Sequence, residues 1–309
     1  MLGAIIGDIL GSIHEKIPKL PVRKEYQLTD DSWLTLAAMN WMLELDFAKF
    51  KFLYEKQKQN EVRDWLRFEL DLINSAKRNL IKWYKIGCAS NLNGNGGIPI
   101  FSPGFDSWVK AEESKEIVRV KHKGNTNGCL MRNSPIPYYG YKYSLNIEEV
   151  LYLSELFCTL THKHDDSINA VTLHSTIIYK LCVGEIDKNN YKEFLLQQNI
   201  EIKPLKDWYP SEERLKENSK NKFIWDAKQS LNISLSAIYF ASSYQEAIDF
   251  CNKTDMDTDT YCAIAGPIAE LLWDIDSKNK EFGLNIIKSN KDAANLIEVV
   301  NSKKFIKNY

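Results

Sequence analysis

Two short runs carry the residue types of a cation site. Thr29-Asp30-Asp31-Ser32 and Asp257-Thr258-Asp259-Thr260 mix carboxylates with hydroxyls, and each stands where a polar stretch gives way to a helical apolar pattern. A carboxylate in the first turn of a helix faces unpaired N–H groups and the positive end of the helix dipole, so N-capping accounts for either run alone. The repetition changes the reading. If the two helix starts face each other, Asp30, Asp31, Asp257 and Asp259 share one small volume, and their repulsion demands cations. Hard oxygen donors of this kind suit Mg²⁺ or Mn²⁺ rather than zinc or copper.

A second candidate is the stretch from Gly124 to Arg132, which contains Asn127-Gly128-Cys129-Leu130-Met131-Arg132. Glycines let backbone N–H groups approach phosphate oxygens closely, although an ordinary turn explains the same residues equally well. Arg132 suits a phosphate or a structural ion pair. His162, at a helix end, suits a ribose or adenine contact, or a simple C-cap. His14, His122 and His174 receive no role, and Trp33, Trp41 and Trp225 read as core because they fall in helical stripes. His164-Asp165 suggests a metal phosphohydrolase of the HD type, but that reading lacks a supporting upstream histidine on a plausible metal-facing helix and leaves the aspartate runs unexplained.

Helices must position these residues. Ile5, Ile6, Ile9, Leu10 and Ile13 recur at three-to-four spacing, as do Trp33, Leu34, Leu36, Ala37 and Trp41, and both stripes predict half-buried helices. Another pattern runs from Val62 to Leu80, with a break expected at Gly87, followed by an Asn/Gly-rich stretch from Asn91 to Gly97 and a loop continuing past Pro103. Residues 147–163 and 166–183 read as an antiparallel pair. A polar connection from Glu185 to Lys222 carries short helices at most. Helical patterning resumes over 223–241; Ser243-Tyr244-Gln245-Glu246 is a capping box opening a short helix. Thr258 to Asp274 is the last strong pattern, with a kink expected at Gly266-Pro267. Strict strand alternation is nearly absent, so the fold class is all-α.

Composition narrows the function further. The 309 residues are 44% hydrophobic and 26% charged, enough for a sizeable core. No linker or low-complexity tract divides them, so one domain over 1–309 is expected. Forty basic residues against forty-one acidic ones, without a basic stripe, argue against nucleic acid as a partner. The apolar start is interrupted by Gly3, Gly7 and Asp8 and reads as a mature helix rather than a leader. No window approaches the roughly 18 apolar residues of a membrane span. Cys88, Cys129, Cys158, Cys182, Cys251 and Cys262 form no CxxC pair, so reduced thiols and a cytoplasmic address are expected. A monomer is the expected state.

The motifs together resemble the ADP-ribosylglycohydrolase family, which includes dinitrogenase reductase-activating glycohydrolase and the ADP-ribosylarginine hydrolases. Gly3-Ala4-Ile5-Ile6-Gly7-Asp8-Ile9-Leu10-Gly11-Ser12 with Glu15 is similar to its first helix, and Thr29-Asp30-Asp31-Ser32 to its first metal motif. Asn127 to Arg132 with Ser134-Pro135 is similar to its glycine loop, Thr161-His162 to its histidine-bearing helix end, and Asp257 to Thr260 before Ala263-Ile264-Ala265-Gly266 to its second metal motif. The resemblance implies an orthogonal helical bundle with a central binuclear Mg²⁺ or Mn²⁺ site and hydrolysis of the bond joining ADP-ribose C1″ to an acceptor side chain, with arginine the first acceptor expected. It implies metal ligation by Thr29, Asp30, Asp31, Asp257, Asp259 and Thr260, with Glu15 reaching the centre and Asp31 or Glu15 as general base. It further implies substrate contacts from Asn127, Gly128, Cys129, Met131, Arg132 and His162, and as partner an ADP-ribosylated protein or ADP-ribose derivative.

Three departures stand out. Thr254-Asp255-Met256 replaces a usual glycine pair, bringing charge and bulk to ground where backbone would approach ligand. Ser32 ends the first motif in place of threonine and keeps the hydroxyl. Gly124-Asn125-Thr126 offers a second Asn/Gly register, of which the later, Asn127-Gly128, fits the spacing to Met131-Arg132. A relative that binds ADP-ribose without turnover is the rival reading, against which the intact carboxylates argue.

Overall fold

The computed structural model describes residues 2–15, 23–60, 62–92, 100–114, 124–208, 225–254 and 256–302. Three-to-four periodicity produces helices almost throughout. In order they are α1 (Gly3–Gly11), α2 (Asp30–Glu44), α3 (Phe47–Lys58), α4 (Val62–Leu92), α5 (Pro103–Ser114), α6 (Pro135–Lys142) and α7 (Ile147–Thr159). There follow α8 (Asp165–Val183), α9 (Tyr191–Leu196), α10 (Ala227–Phe240), α11 (Tyr244–Asn252), α12 (Thr258–Trp273), α13 (Ser277–Lys288) and α14 (Lys291–Ser302). Among the described residues there is no strand, only an isolated antiparallel bridge between Thr126 and Asp226. The all-α expectation holds. No described helix is long and apolar enough to cross a membrane.

α1 is buried far more completely than its apolar stripe implies: every residue from Gly3 to Ile9 is buried, as is Gly11. Its glycines form a second contact face. A Cβ at Gly3, Gly7 or Gly11 would stand 2.3, 2.2 or 2.6 Å from the carbonyl oxygen of Gly266, Cys262 or Thr258 respectively. The descending partners define an antiparallel pair in which the backbones of α1 and α12 touch, an approach only glycine permits. The helices also cap one another. Glu270 accepts from the N–H groups of Leu2 (3.2 Å) and Gly3 (2.7 Å), and the Thr258 hydroxyl donates to Gly11 O (2.9 Å). α12 runs unbroken through Gly266-Pro267.

α2 is likewise a core helix, with Trp33 and Trp41 buried. Gly87 does not end α4, which continues to Leu92; a Cβ there would lie 2.8 Å from Trp33 Cδ1, so the glycine serves close packing of α4 on α2. Pro103 opens α5 instead of prolonging a loop, as the first helical position needs no N–H. Ser243 caps α11 by accepting from Glu246 N, but Glu246 turns to Ser242, so the box is half formed. The full capping box is at Asn146 and Glu149. Trp225 is 39% exposed because it precedes α10 rather than lying in it. The short helices, α3 and α6, and the final pair, α13 and α14, add to the elements read from sequence. Residues 93–99, Asp255 and His122 lie outside the described residues.

Candidate active site

The antiparallel α1–α12 pair sets the C-terminus of α1 beside the N-terminus of α12, and Asp8 fastens the N-terminus of α2 to α1. Asp8 is fully buried, accepting from Thr29 N (3.0 Å), Thr29 Oγ1 (2.6 Å), Ser32 N (3.2 Å) and the Ser32 hydroxyl. The serine that replaces threonine in the first motif therefore has a specific task. Thr29 is the N-cap of α2 through Asp31 N, and the same hydroxyl donates to Asp8 Oδ1.

Two sets of carboxylates converge here. Ligand atoms of Asp8, Asp31 and Asp259 lie within 4.8 Å of one another, as do those of Glu15, Asp257 and Asp259, so that Asp259 belongs to both sets. The Thr260 hydroxyl lies 3.3 Å from Asp31 Oδ2 and joins α12 to α2. Asp257 is the N-cap residue of α12 yet makes no capping bond; it accepts instead from the Asn127 amide at 2.6 Å. Asp30 falls in neither set, and its side chain keeps some exposed surface. Arg23 enters unannounced: its Nη1 lies 2.6 Å from Glu15 Oε2 and 2.8 Å from Asp259 Oδ2.

Crowding makes these carboxyls hard to ionise. Burial, then repulsion from Asp259, raises Asp8 to about 7 against the hydrogen bonds of Ser32 and Thr29. The same two causes raise Glu15 to about 9 and Asp30 to about 7, with the Arg23 charge pulling each down. Asp31 and Asp257 stand well above the carboxylate range, burial leading and Asp259 next. For Arg23, burial disfavours the charge, but Asp259 and Glu15 outweigh it and raise its pKa. At this site Asp31 Oδ1 is buried with no hydrogen-bond partner among the described residues. Several buried acids around an acceptor atom without a donor fit a divalent cation, since protein groups leave both charge and lone pair unmet.

The glycine loop takes the later register. Asn127–Cys129 forms a 3-10 turn beside the carboxylates, whereas Asn125 turns away to α10, donating to Asp226 at 2.5 Å. The Asn127 amide is committed to Asp257 and Ser230. His162 packs on Gly128, where a Cβ would lie 3.3 Å from the ring, and its two nitrogens face Thr126 Oγ1 (2.8 Å) and Thr161 Oγ1 (2.7 Å). Gly128 and His162 are partly exposed; Cys129 and Met131 are buried, Met131 Sδ lying 4.0 Å from Thr260 Oγ1. Arg132 has no exposed surface and no ion pair among the described residues. Its guanidinium is fully buried, lies over the rings of Phe105 (5.8 Å) and Phe157 (5.4 Å), and donates to Thr161 at 2.5 Å. It braces the loop from inside.

His164 caps α8, its Nδ1 accepting from Asp166 N at 3.1 Å, and no histidine joins either acidic set among the described residues. The HD-type reading thus has no site. Met256 is buried in the apolar core, which absorbs its bulk. Two candidates received no role from the sequence, Asp8 although it lies within the first-helix motif. Asp8 was detectable as the one charged residue in an otherwise apolar α1, whereas Arg23 sits in a loop that carries no spacing signal.

A likeness of fold extends across the molecule: the chain is similar to a solved ADP-ribosylglycohydrolase-related protein complex, at 15% identity and a TM-score of 0.58, over 96% of this chain and 94% of that one. No curated protein matches the sequence. The family model of ADP-ribosylglycohydrolases matches residues 1–273, which takes in every helix from α1 to the end of α12 and both acidic sets. By that match the chain belongs to the ADP-ribosylglycohydrolase family.

Proposed function

We propose that this chain cleaves the bond between C1″ of ADP-ribose and an acceptor side chain of a modified protein, arginine being the first acceptor, with two Mg²⁺ or Mn²⁺ ions at the acidic centre. Its family is one of hydrolases acting on ADP-ribose linkages. The observation that carries the reading is the pair of acidic sets sharing Asp259, with Asp31 Oδ1 buried and unpartnered between the ends of three helices.

Asp8, Asp31 and Asp259 would hold one ion, and Glu15, Asp257 and Asp259 the other, with Thr29 and Thr260 as flanking hydroxyls and Asp30 at the rim. Bound divalent ions would orient ribose hydroxyls and acidify a water. Asp31, whose Oδ1 meets no protein donor, is then the base best placed to take the water proton, and Glu15 is the second candidate. Asn127 fixes the Asp257 carboxylate, and the four bonds to Asp8 keep α2 in register with α1, so the centre is organised before substrate arrives. The partly exposed Gly128 backbone suits a diphosphate, with His162 beside it for the ribose or adenine. Cys129, Met131 and Arg132 support that surface from within. Six unbonded cysteines support a reducing, cytoplasmic setting.

The test is release of ADP-ribose from arginine-linked and serine-linked substrates with Mg²⁺, Mn²⁺ or EDTA. Metal-dependent release, faster from arginine, is expected. Binding of ADP-ribose with no release from either substrate would overturn the hydrolase reading.

A further inference from the structure

The two acidic sets are not equivalent. In the set of Asp8, Asp31 and Asp259, Arg23 pairs with Asp259 alone, and Asp31 Oδ1 is buried without a hydrogen-bond partner among the described residues. In the set of Glu15, Asp257 and Asp259, two of the three carboxylates are already paired with one guanidinium nitrogen, at 2.6 and 2.8 Å. The Arg23 side chain is only 11% exposed, while its chain neighbours Lys24, Glu25 and Tyr26 are exposed. A guanidinium thus reaches from a surface loop into the position that a cation bound by Glu15 and Asp259 would take. It carries a fixed positive charge and cannot give it up by deprotonation.

We propose that Arg23 is a built-in counter-ion for the second cation position, so that the ion-free chain admits one divalent ion readily at Asp8, Asp31 and Asp259 and a second only by displacing Arg23. The inference rests on the metal-centre reading above. It makes the protein's second ion conditional on divalent concentration, because the incoming ion must break two charge-assisted hydrogen bonds that are already made.

Stripped of metal with EDTA, then dialysed, the full chain is titrated with Mn²⁺ by calorimetry and its thermal midpoint followed with and without Mn²⁺. The wild type is expected to bind one Mn²⁺ tightly and a second at least about tenfold more weakly. Arg23→Gln should tighten the second site at least about tenfold, lower the midpoint in EDTA, where Glu15 and Asp259 lose their cation, and enlarge the rise produced by Mn²⁺. Arg23→Lys, which keeps the charge, should bind like the wild type. Two equally tight sites in the wild type, or a second site no tighter in Arg23→Gln, would overturn the counter-ion role while leaving the metal centre intact. Absence of Mn²⁺ binding in all three chains would overturn both.

Discussion

The side-chain amide of Asn127 donates to Asp257 Oδ2 at 2.6 Å and so ties the glycine loop directly to the acidic centre. One residue thereby serves two motifs that lie far apart in the chain. Asn127→Ala should weaken Mn²⁺ binding about 10- to 100-fold, as loss of a hydrogen bond that orients a ligand does elsewhere, with little change in helical circular dichroism. Unchanged Mn²⁺ affinity would remove Asp257 from the ligand set or Asn127 from its support.

Asp8 offers a sharper test, because it stood within a sequence motif without being given a role. Asp8→Asn keeps the shape and some of the bonds to Thr29 and Ser32 but removes a buried carboxyl whose ionised form repels Asp259. Ion-free protein should become more stable, by about 1–2 kcal/mol in urea unfolding, while Mn²⁺ affinity falls by about tenfold or more. A stability loss in EDTA with unaltered Mn²⁺ binding would make Asp8 a structural cap only.

The raised carboxyls impose a pH dependence of defined sign. Asp8 and Asp30, at about 7, and Glu15, at about 9, hold protons in the folded ion-free protein that the unfolded chain releases near its ordinary values of 3.8 and 4.5. Their contribution is complete below those ordinary values and is lost as pH rises through 7 and toward 9. In EDTA the thermal midpoint should therefore be lower at about pH 8.5 than at about pH 5.5, by roughly 5 °C or more, and Mn²⁺ should narrow the difference. Scanning calorimetry across that range checks it; a midpoint rising with pH in EDTA would contradict the crowding described here.

The glycine contact between α1 and α12 should be intolerant of a single methyl group. In Gly7→Ala the new Cβ meets Cys262 O at 2.2 Å, and the obstacle is backbone rather than a flexible side chain. A loss of about 3 kcal/mol or more in denaturant unfolding is expected, together with weaker Mn²⁺ binding, since the displaced helix carries Asp8. Near-normal stability would mean that the two helices can part without cost.

Much of this centre could be read from residue types alone. Alternating carboxylates and hydroxyls at two helix starts foretold the convergence of Asp31, Asp257, Asp259 and Thr260, and three-to-four periodicity foretold α7, α8 and α12. What could not be read depended on contacts distant in sequence. Gly87 looks like a helix breaker until Trp33 is known to lie against it, and Arg132 suits a phosphate or an ion pair equally until Phe105 and Phe157 are known to lie against its guanidinium. The near-total burial of α1 follows from glycines at every fourth position, a face that hydrophobicity does not register. Arg23 depends wholly on the fold, because only three-dimensional packing brings its loop to Asp259.

The most direct test of the metal-dependent hydrolase account is the rate of ADP-ribose release from an arginine-linked substrate by the wild type and by Asp31→Ala, each with Mn²⁺ and with EDTA. The account predicts release by the wild type in Mn²⁺, none in EDTA, and at least about 100-fold slower release by Asp31→Ala with its helical signal retained. Equal turnover by Asp31→Ala, or full release in EDTA, would contradict it.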